Sequence, residues 1–144
     1  MPNPPSYAAP RLFDRGLHRK RLDRAARGFA DADFLQRRAA LDVAERLEAI
    51  MRDFPLAVDL SARNGAFRRA LAESPAASRV GLLIEADLSP AMLAGRTGPR
   101  VALDEERLLF AAGSLDLVVS TLGLHWTNDV VGALIQIRRA LKPD

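Results

Sequence analysis

The sequence predicts a single α/β domain with a doubly wound parallel sheet. Two observations lead to this fold class. From residue 56 onward, short apolar runs typical of buried strands alternate with helix-prone segments. The chain of 144 residues has the length of one domain, and its 49% hydrophobic content is enough for a core. Right-handed crossovers between the strands would give the strand order 3-2-1-4.

The first third of the chain is predicted to be a tail followed by two helices. Residues 1–10 are rich in proline and are expected to be disordered. Residues 11–53 form a helical segment. Its first helix covers residues 12–28 and ends at Gly28, and its second runs from a cap at Asp31 or Asp33 to about Arg52. Pro55 follows closely, and the residue before a proline is disfavoured in a helix.

Residues 54–144 are predicted to form the sheet and its covering helices. The predicted strands are residues 56–60, 79–85, 100–103 and 115–120. The predicted helices are residues 65–73, 89–94 and 130–141, the last capped by Asn128 or Asp129. The chain ends where such a sheet would add a fifth strand, so we expect a truncated, incomplete domain. Its fourth strand would be an apolar edge on which a second copy can pair.

Composition argues against several classes of protein. The absence of cysteine excludes disulfides and thiol catalysis, and His18 and His125 are too far apart to indicate a His-rich metal site. No segment has the length of a membrane span or the apolar core of a secretory signal, so we expect a cytoplasmic protein. Seven cationic residues lie between residues 11 and 27. They form either a surface for an acidic partner or, the favoured interpretation, a solvated helix face; nucleic acid is not expected as a partner.

Acidic residues lie where three predicted strands end. Asp59 is in the first strand, Asp87 follows the second, and Asp104 and Glu105 follow the third. The carboxyl ends of parallel strands converge on one crevice. A carboxylate after the second strand is well placed for ribose hydroxyls, and one after the third for an adenine amino group. The alternative is that these acids cap helices or accept loop amides. Three acids in register favour a ligand site.

The loop after the first strand contains a single glycine. Glycines in such loops let the backbone approach a ligand closely or adopt positive φ. Here only Gly65 remains, and Asn64 tolerates positive φ. Ser61 is small, whereas Arg63 is large. We expect the Arg63 side chain to intrude on the site or to contact a carboxylate.

Four stretches of the sequence resemble one superfamily. Residues 59–65 (DLSARNG) align with the D-x-G-x-G-x-G loop of class I S-adenosylmethionine-dependent methyltransferases, with Ser61 and Arg63 at glycine positions. Residues 87–93 (DLSPAML) match the D-x-S-x-x-M-L segment of these enzymes. Residues 104–118 and 141–144 are similar to their later acidic and L-K-P-G-G segments. The chain resembles the methyltransferase type 11 domain in particular. Residues 12–15, 124–129 and 136–141 are similar to the group of the biotin-synthesis carrier-protein methyltransferase and a mitochondrial complex I assembly factor.

The resemblance implies a Rossmann-like fold, S-adenosylmethionine as cofactor, and methyl transfer to a small molecule or a protein side chain. The alternative is a non-methylating assembly factor for a respiratory complex that binds a protein client. The implied cofactor-binding residues are Asp59, Ser61, Gly65, Asp87, Leu88, Asp104, Glu105 and Ser120. No catalytic residue is identified. His125 is either a general base or, the favoured interpretation, a flanking residue beside a Trp126 packed on the sheet edge.

Overall fold

The computed structural model describes residues 10–143, so the predicted disordered tail lies outside the described residues except for Pro10. The α-helices are Arg15–Ala25 (α1), Phe34–Glu48 (α2), Ala66–Ala72 (α3), Pro90–Leu93 (α4) and Val130–Ala140 (α5). The strands are Phe54–Leu60 (β1), Val80–Asp87 (β2), Arg100–Ala102 (β3) and Leu117–Ser120 (β4). Short 3₁₀ helices cover Ala26–Asp31, Pro75–Arg79 and Leu124–Trp126.

The strands form one parallel sheet in the order β3-β2-β1-β4, which confirms the predicted order 3-2-1-4. Strand β1 is central and pairs with β2 on one side and β4 on the other. Because all pairs are parallel, the carboxyl ends of the strands and the loops that follow them lie at one edge of the sheet.

Helices pack on both faces of the sheet. Successive side chains of β1 point to opposite faces, so each face contributes to its own core cluster. Ala57 belongs to a core cluster with Leu47 of α2 and Phe67 of α3. Val58 and its neighbour two residues on, Leu60, belong to a second cluster that includes Ala140 of α5. The continuous apolar pattern of the strand follows from this burial on both sides. No helix within residues 10–143 has the length and apolar character to cross a bilayer.

The prediction for the N-terminal helices was wrong at three helix ends. The first helix begins at Arg15, after an N-cap at Asp14, rather than at residue 12. The first helix ends at Ala25, and Gly28 lies inside the following 3₁₀ helix rather than ending the α-helix. Phe29 of that 3₁₀ segment packs on the cluster around Leu22, which keeps the chain coiled past the glycine. The second helix ends at Glu48, several residues before the predicted end near Arg52.

Asp33 occupies the N-cap position of α2, but its side chain makes no capping hydrogen bond. It accepts a hydrogen bond from Asn64 Nδ2 at 2.6 Å and pairs with Arg37 and Arg69. Charged and amide partners from the β1 loop and α3 therefore replace the local capping bond.

The last strand and helix follow the prediction with small shifts. Strand β4 begins at Leu117, since Leu115 forms an isolated parallel bridge with Leu141 instead of pairing with β1. Asp129 caps α5 as predicted, accepting a hydrogen bond from the Gly132 amide at 2.7 Å.

Candidate functional site

The carboxyl edge of the sheet brings the predicted acids together. Asp87 ends β2, and Asp104 and Glu105 follow β3 directly. The Leu103 amide donates a hydrogen bond to the Asp87 carbonyl at 3.0 Å, which ties the two strand ends to each other. Asp59 lies in β1, one residue before its end.

Asp87 is fully buried, and both of its carboxylate oxygens have partners inside the protein. Oδ2 accepts hydrogen bonds from the backbone amide and from Nη1 of Arg63, each at 2.8 Å. Oδ1 accepts one from the Ser89 amide at 2.9 Å. The expected contact between Arg63 and a carboxylate is therefore present, and it is made with the acid that the resemblance assigns to a ribose.

Arg15 of α1 binds the acids that follow β3. Its Nη2 lies 2.8 Å from Asp104 Oδ1, its Nε lies 3.3 Å from Oδ2, and Nη2 also pairs with Glu105 Oε2. Ser61 Oγ donates a hydrogen bond to the remaining Glu105 oxygen at 2.7 Å. Burial acts to lower the pKa of Arg15, but the hydrogen bonds and charges of the two acids raise it overall. Arg15 therefore stays charged and anchors α1 across the sheet edge.

The loop from Ser61 to Gly65 has a glycine-type backbone although two of its residues carry side chains. The φ angles are +68° at Ser61, +48° at Arg63 and +78° at Gly65. A residue with a side chain in this region is strained by about 1 to 3 kcal/mol. The Ser61 side chain lies so close to Gly123, in the loop after β4, that a Cβ added to Gly123 would overlap it. The inner part of the crevice is thus filled by side chains of the loop itself.

Asp59 is wholly buried, and neither of its oxygens has a hydrogen-bond partner within residues 10–143. Burial raises the pKa of this carboxyl to about 7, while the positive charge of Arg96 opposes the rise. Protonation of Asp59 is favoured because a neutral carboxyl costs less free energy to bury than a charged one.

Aromatic residues cover the outside of this edge. Trp126 stacks on His18 with ring centroids 4.9 Å apart and meets Phe13 edge-on at 5.4 Å. The N-terminal segment supplies these two ring partners of Trp126, and the packing of Trp126 on the sheet edge stays a prediction. His125 is exposed. Burial, and then the charges of Arg63 and Arg15, lower the pKa of His18 to about 4.

The two remaining predicted residues lie on either side of these acids. Leu88 is buried against Leu22 and Met92. It also lines a cavity of about 310 Å³ together with Leu103 and Asp104, under α1. Ser120 ends β4, and its hydroxyl is buried without a hydrogen-bond partner in the described part of the chain.

Arg15 and His18 are the residues at this site that sequence reasoning missed. Arg15 lies 89 positions from Asp104, and no periodicity connects two residues so far apart. The sequence did show that residues 12–15 are similar to related methyltransferase-like proteins. That similarity drew attention to the segment but did not indicate what Arg15 contacts.

A protein-family model described as a methyltransferase domain matches residues 58–144, more than half of the chain. The chain belongs to this methyltransferase domain family. It is 38% identical over 140 residues to the human protein named arginine-hydroxylase NDUFAF5, mitochondrial, an alignment that covers 92% of the chain and 39% of that protein. It is 31% identical over 147 residues to malonyl-[acyl-carrier protein] O-methyltransferase of Gallionella capsiferriformans, covering 92% of the chain and 50% of that protein.

Solved structures share the fold of this methyltransferase domain. A Haloferax volcanii complex of the Trm112 methyltransferase activator and a methyltransferase matches with a TM-score of 0.67 and 24% identity, over 85% of this chain and 56% of that one. This likeness confirms the Rossmann-like architecture. The domain spans half or less of the length of the two relatives described above.

In this conformation the residues at the inner end of the crevice do not fit S-adenosylmethionine. The oxygens of Asp87 and Glu105 already have protein partners, and both acids are buried. Cavities of about 600 and 310 Å³ border Asp104, but neither is lined by Asp87 or Ser61. In the methyltransferase domain, Arg15 and Arg63 therefore pair with the acids that the resemblance assigns to the cofactor.

Proposed function

We propose that this chain supplies the cofactor-binding part of an S-adenosylmethionine-dependent methyltransferase. The methyl acceptor is a small molecule or a protein side chain. The observation that carries this proposal is the convergence of Asp87, Asp104 and Glu105 on one edge of a sheet ordered 3-2-1-4. The family match and the O-methyltransferase relative support it.

The proposal assigns the nucleoside end of the cofactor to Asp87, Leu88, Asp104 and Glu105, with Asp59 behind them in β1. Ser61, Gly65 and Ser120 would border the methionine end. These assignments require Arg63 and Arg15 to leave the carboxylates. S-adenosylmethionine would supply the methyl group, and the transfer would depend mainly on the relative positions of donor and acceptor.

A second candidate function is a methyltransferase-like assembly factor that binds a protein client without transferring a methyl group. The pairing of Arg63 with Asp87 and of Arg15 with Asp104 and Glu105 favours it, since a domain that transfers no methyl group does not depend on keeping these acids free for a cofactor. Self-pairing through β4 stays a prediction. The cytoplasmic location also stays a prediction. The name of the human relative places that protein in mitochondria.

The test is a titration of S-adenosylmethionine followed by NMR, which detects binding even at millimolar dissociation constants. The proposal expects shifts of the Asp87, Leu88 and Asp104 amides that are lost in Asp87→Asn and kept in the exposed control Glu73→Gln. No shift at these amides, either in the wild type or in a variant without the Arg63 cation, would contradict it. Binding without methyl turnover in the presence of candidate acceptors would favour the assembly factor.

A further inference from the structure

Arg63 is held in place at both its backbone and its side chain. Its guanidinium pairs with Asp87, and its carbonyl accepts a hydrogen bond from Arg96 Nη1 at 2.5 Å. Arg96 in turn pairs with the buried Glu85. The Arg63 side chain is only 5% exposed, whereas Arg69, six residues later, is 54% exposed. The Arg63 side chain is therefore buried within the crevice and held in one conformation by its partners, unlike an exposed surface arginine.

The outer part of the same crevice remains open. The lining of the cavity of about 310 Å³ includes apolar Leu88 and Leu103 and charged Arg15, Arg19 and Asp104, and Asp104 is paired with Arg15. Apolar side chains beside a few polar groups are typical of small-molecule sites, and the apolar side chains of Leu88 and Leu103 suit the flat face of a nucleobase. Asp87 immediately precedes Leu88, yet it pairs with Arg63 and does not line this cavity.

Arg63 and a nucleoside would compete for the same oxygens. Asp87 is the acceptor in either case, so both kinds of hydrogen bond are charge-assisted. The guanidinium adds the attraction between opposite charges, which a neutral ribose hydroxyl lacks, and this attraction is stronger at a buried site than in water. Arg63 is also covalently part of the loop, so its binding costs no loss of translational freedom. The arginine therefore has the advantage while it keeps its present conformation.

We infer that Arg63 is an internal latch that closes the crevice to adenosine-containing ligands by occupying Asp87. The latch opens when the guanidinium leaves the carboxylate. This inference rests on the proposed function in treating the crevice as the cofactor site, and it adds that the protein's own arginine controls access to that site.

The experiment compares the wild-type chain with the double variant Ser61→Gly/Arg63→Gly. Both substitutions suit the positive φ angles, and together they remove the Arg63 cation and the Ser61 side chain that lies against Gly123. Adenosine and S-adenosylmethionine are titrated separately into each protein by calorimetry. We expect the variant to bind both at least ~30-fold more tightly, the effect of removing one charge-assisted competitor.

Two controls separate the latch from general effects of mutation. Arg63→Lys keeps a cation in the loop, and we expect it to bind within about 3-fold of the wild type, since Lys also pairs with a carboxylate. Arg69→Ala removes an exposed positive charge nearby and should leave binding unchanged. If the double variant does not fold, Arg63→Asn is used, because Asn tolerates positive φ and carries no charge.

The His18 ring reports on the latch without any ligand. The charge of Arg63 is one of the causes that lower the pKa of His18 to about 4, after burial. An NMR titration should show a higher His18 pKa in the double variant than in Arg63→Lys. Equal His18 pKa values in the two variants would contradict the position of the Arg63 charge at the crevice.

The outcomes of the binding experiment separate the latch from the proposed function. Tighter binding of both ligands by the variant supports both. Tighter binding of adenosine with no binding of S-adenosylmethionine supports the latch and overturns the proposed function. Equal binding by variant and wild type overturns the latch, and the proposed function survives that result if the wild type binds S-adenosylmethionine.

Discussion

The loops that follow β1 and β2 meet at Asp87 but are stabilised in different ways. In the β2 turn, the Ser89 amide donates to Asp87, and Ser89 Oγ caps α4 by accepting from the Met92 amide at 3.2 Å. These bonds join residues two and three positions apart. In the β1 loop, Arg63 binds Asp87 across 24 positions, and Ser61 binds Glu105 across 44. Apart from the bond that Ser89 Oγ donates to Asp23, the β2 turn is thus built from local bonds, whereas the side chains of Ser61 and Arg63 in the β1 loop bind distant partners.

This difference explains where backbone strain is tolerated. The helix cap after β2 needs only an extended residue before the first turn, and Ser89 has φ −99°. The β1 loop keeps Ser61 and Arg63 at positive φ because buried partners hold both side chains. The same partners that stabilise the loop also fill the crevice. The predictions below replace Asp87, where the two loops meet, then Asp59, which leads into the β1 loop, and then Ser89 of the β2 turn.

Asp87→Ala should have the largest effect, since it removes the group on which both loops depend. The substitution leaves the Arg63 guanidinium buried without its carboxylate, which costs about 3 to 5 kcal/mol in free energy of unfolding. Urea unfolding followed by circular dichroism measures the loss. The exposed acid Asp53, replaced by alanine, is the control. A loss below about 1 kcal/mol in Asp87→Ala would mean that the pair contributes little.

Asp59→Asn tests the buried acid that leads into the β1 loop. Burial raises the pKa of Asp59 to about 7 in the folded chain, from 3.8 for an unperturbed aspartate. The folded state therefore holds this proton more tightly than the unfolded state, and stability falls as pH rises from about 4 to 7. We expect Asn to raise the free energy of unfolding by about 2 to 4 kcal/mol at pH 8 and hardly at all below pH 4. Thermal unfolding at several pH values gives the comparison, and a difference independent of pH would contradict the raised pKa.

Ser89→Ala should have the smallest effect, because it breaks one local cap of the β2 turn. We expect a loss of about 1 to 2 kcal/mol, which includes the hydrogen bond from Ser89 Oγ to Asp23 Oδ1 at 2.5 Å. Ser74→Ala is a matched control, since Ser74 also accepts from an amide and donates to an acid, Glu48, at an exposed site. Chemical denaturation of both variants tests whether burial makes the Ser89 cap contribute more to the free energy of unfolding than the Ser74 cap. Equal losses in the two variants would show that burial has no such effect.

Most of the fold was predictable because its signals are local. Apolar runs marked β1 and β2, Ser89 and Asp129 marked helix starts, and the alternation of strands and helices gave the strand order through the handedness of crossovers. The errors fell at the ends of the two N-terminal helices, as at Gly28, where packing of Phe29 continued the coiled chain. Asp33 has the predicted N-cap position, but distant partners replace its capping bond. The position of the acids at one edge of the sheet followed from the same local signals.

The sequence by itself determined the sheet, the edge at which the acids gather and the presence of a large cation at a glycine position of the β1 loop. Only the tertiary structure decided that Arg63 binds Asp87 and that Arg15 of α1 binds Asp104 and Glu105. The physical reason is distance along the chain. Periodicity and capping act over a few residues, whereas a buried ion pair forms between any two groups that the folded backbone brings within about 3 Å of each other.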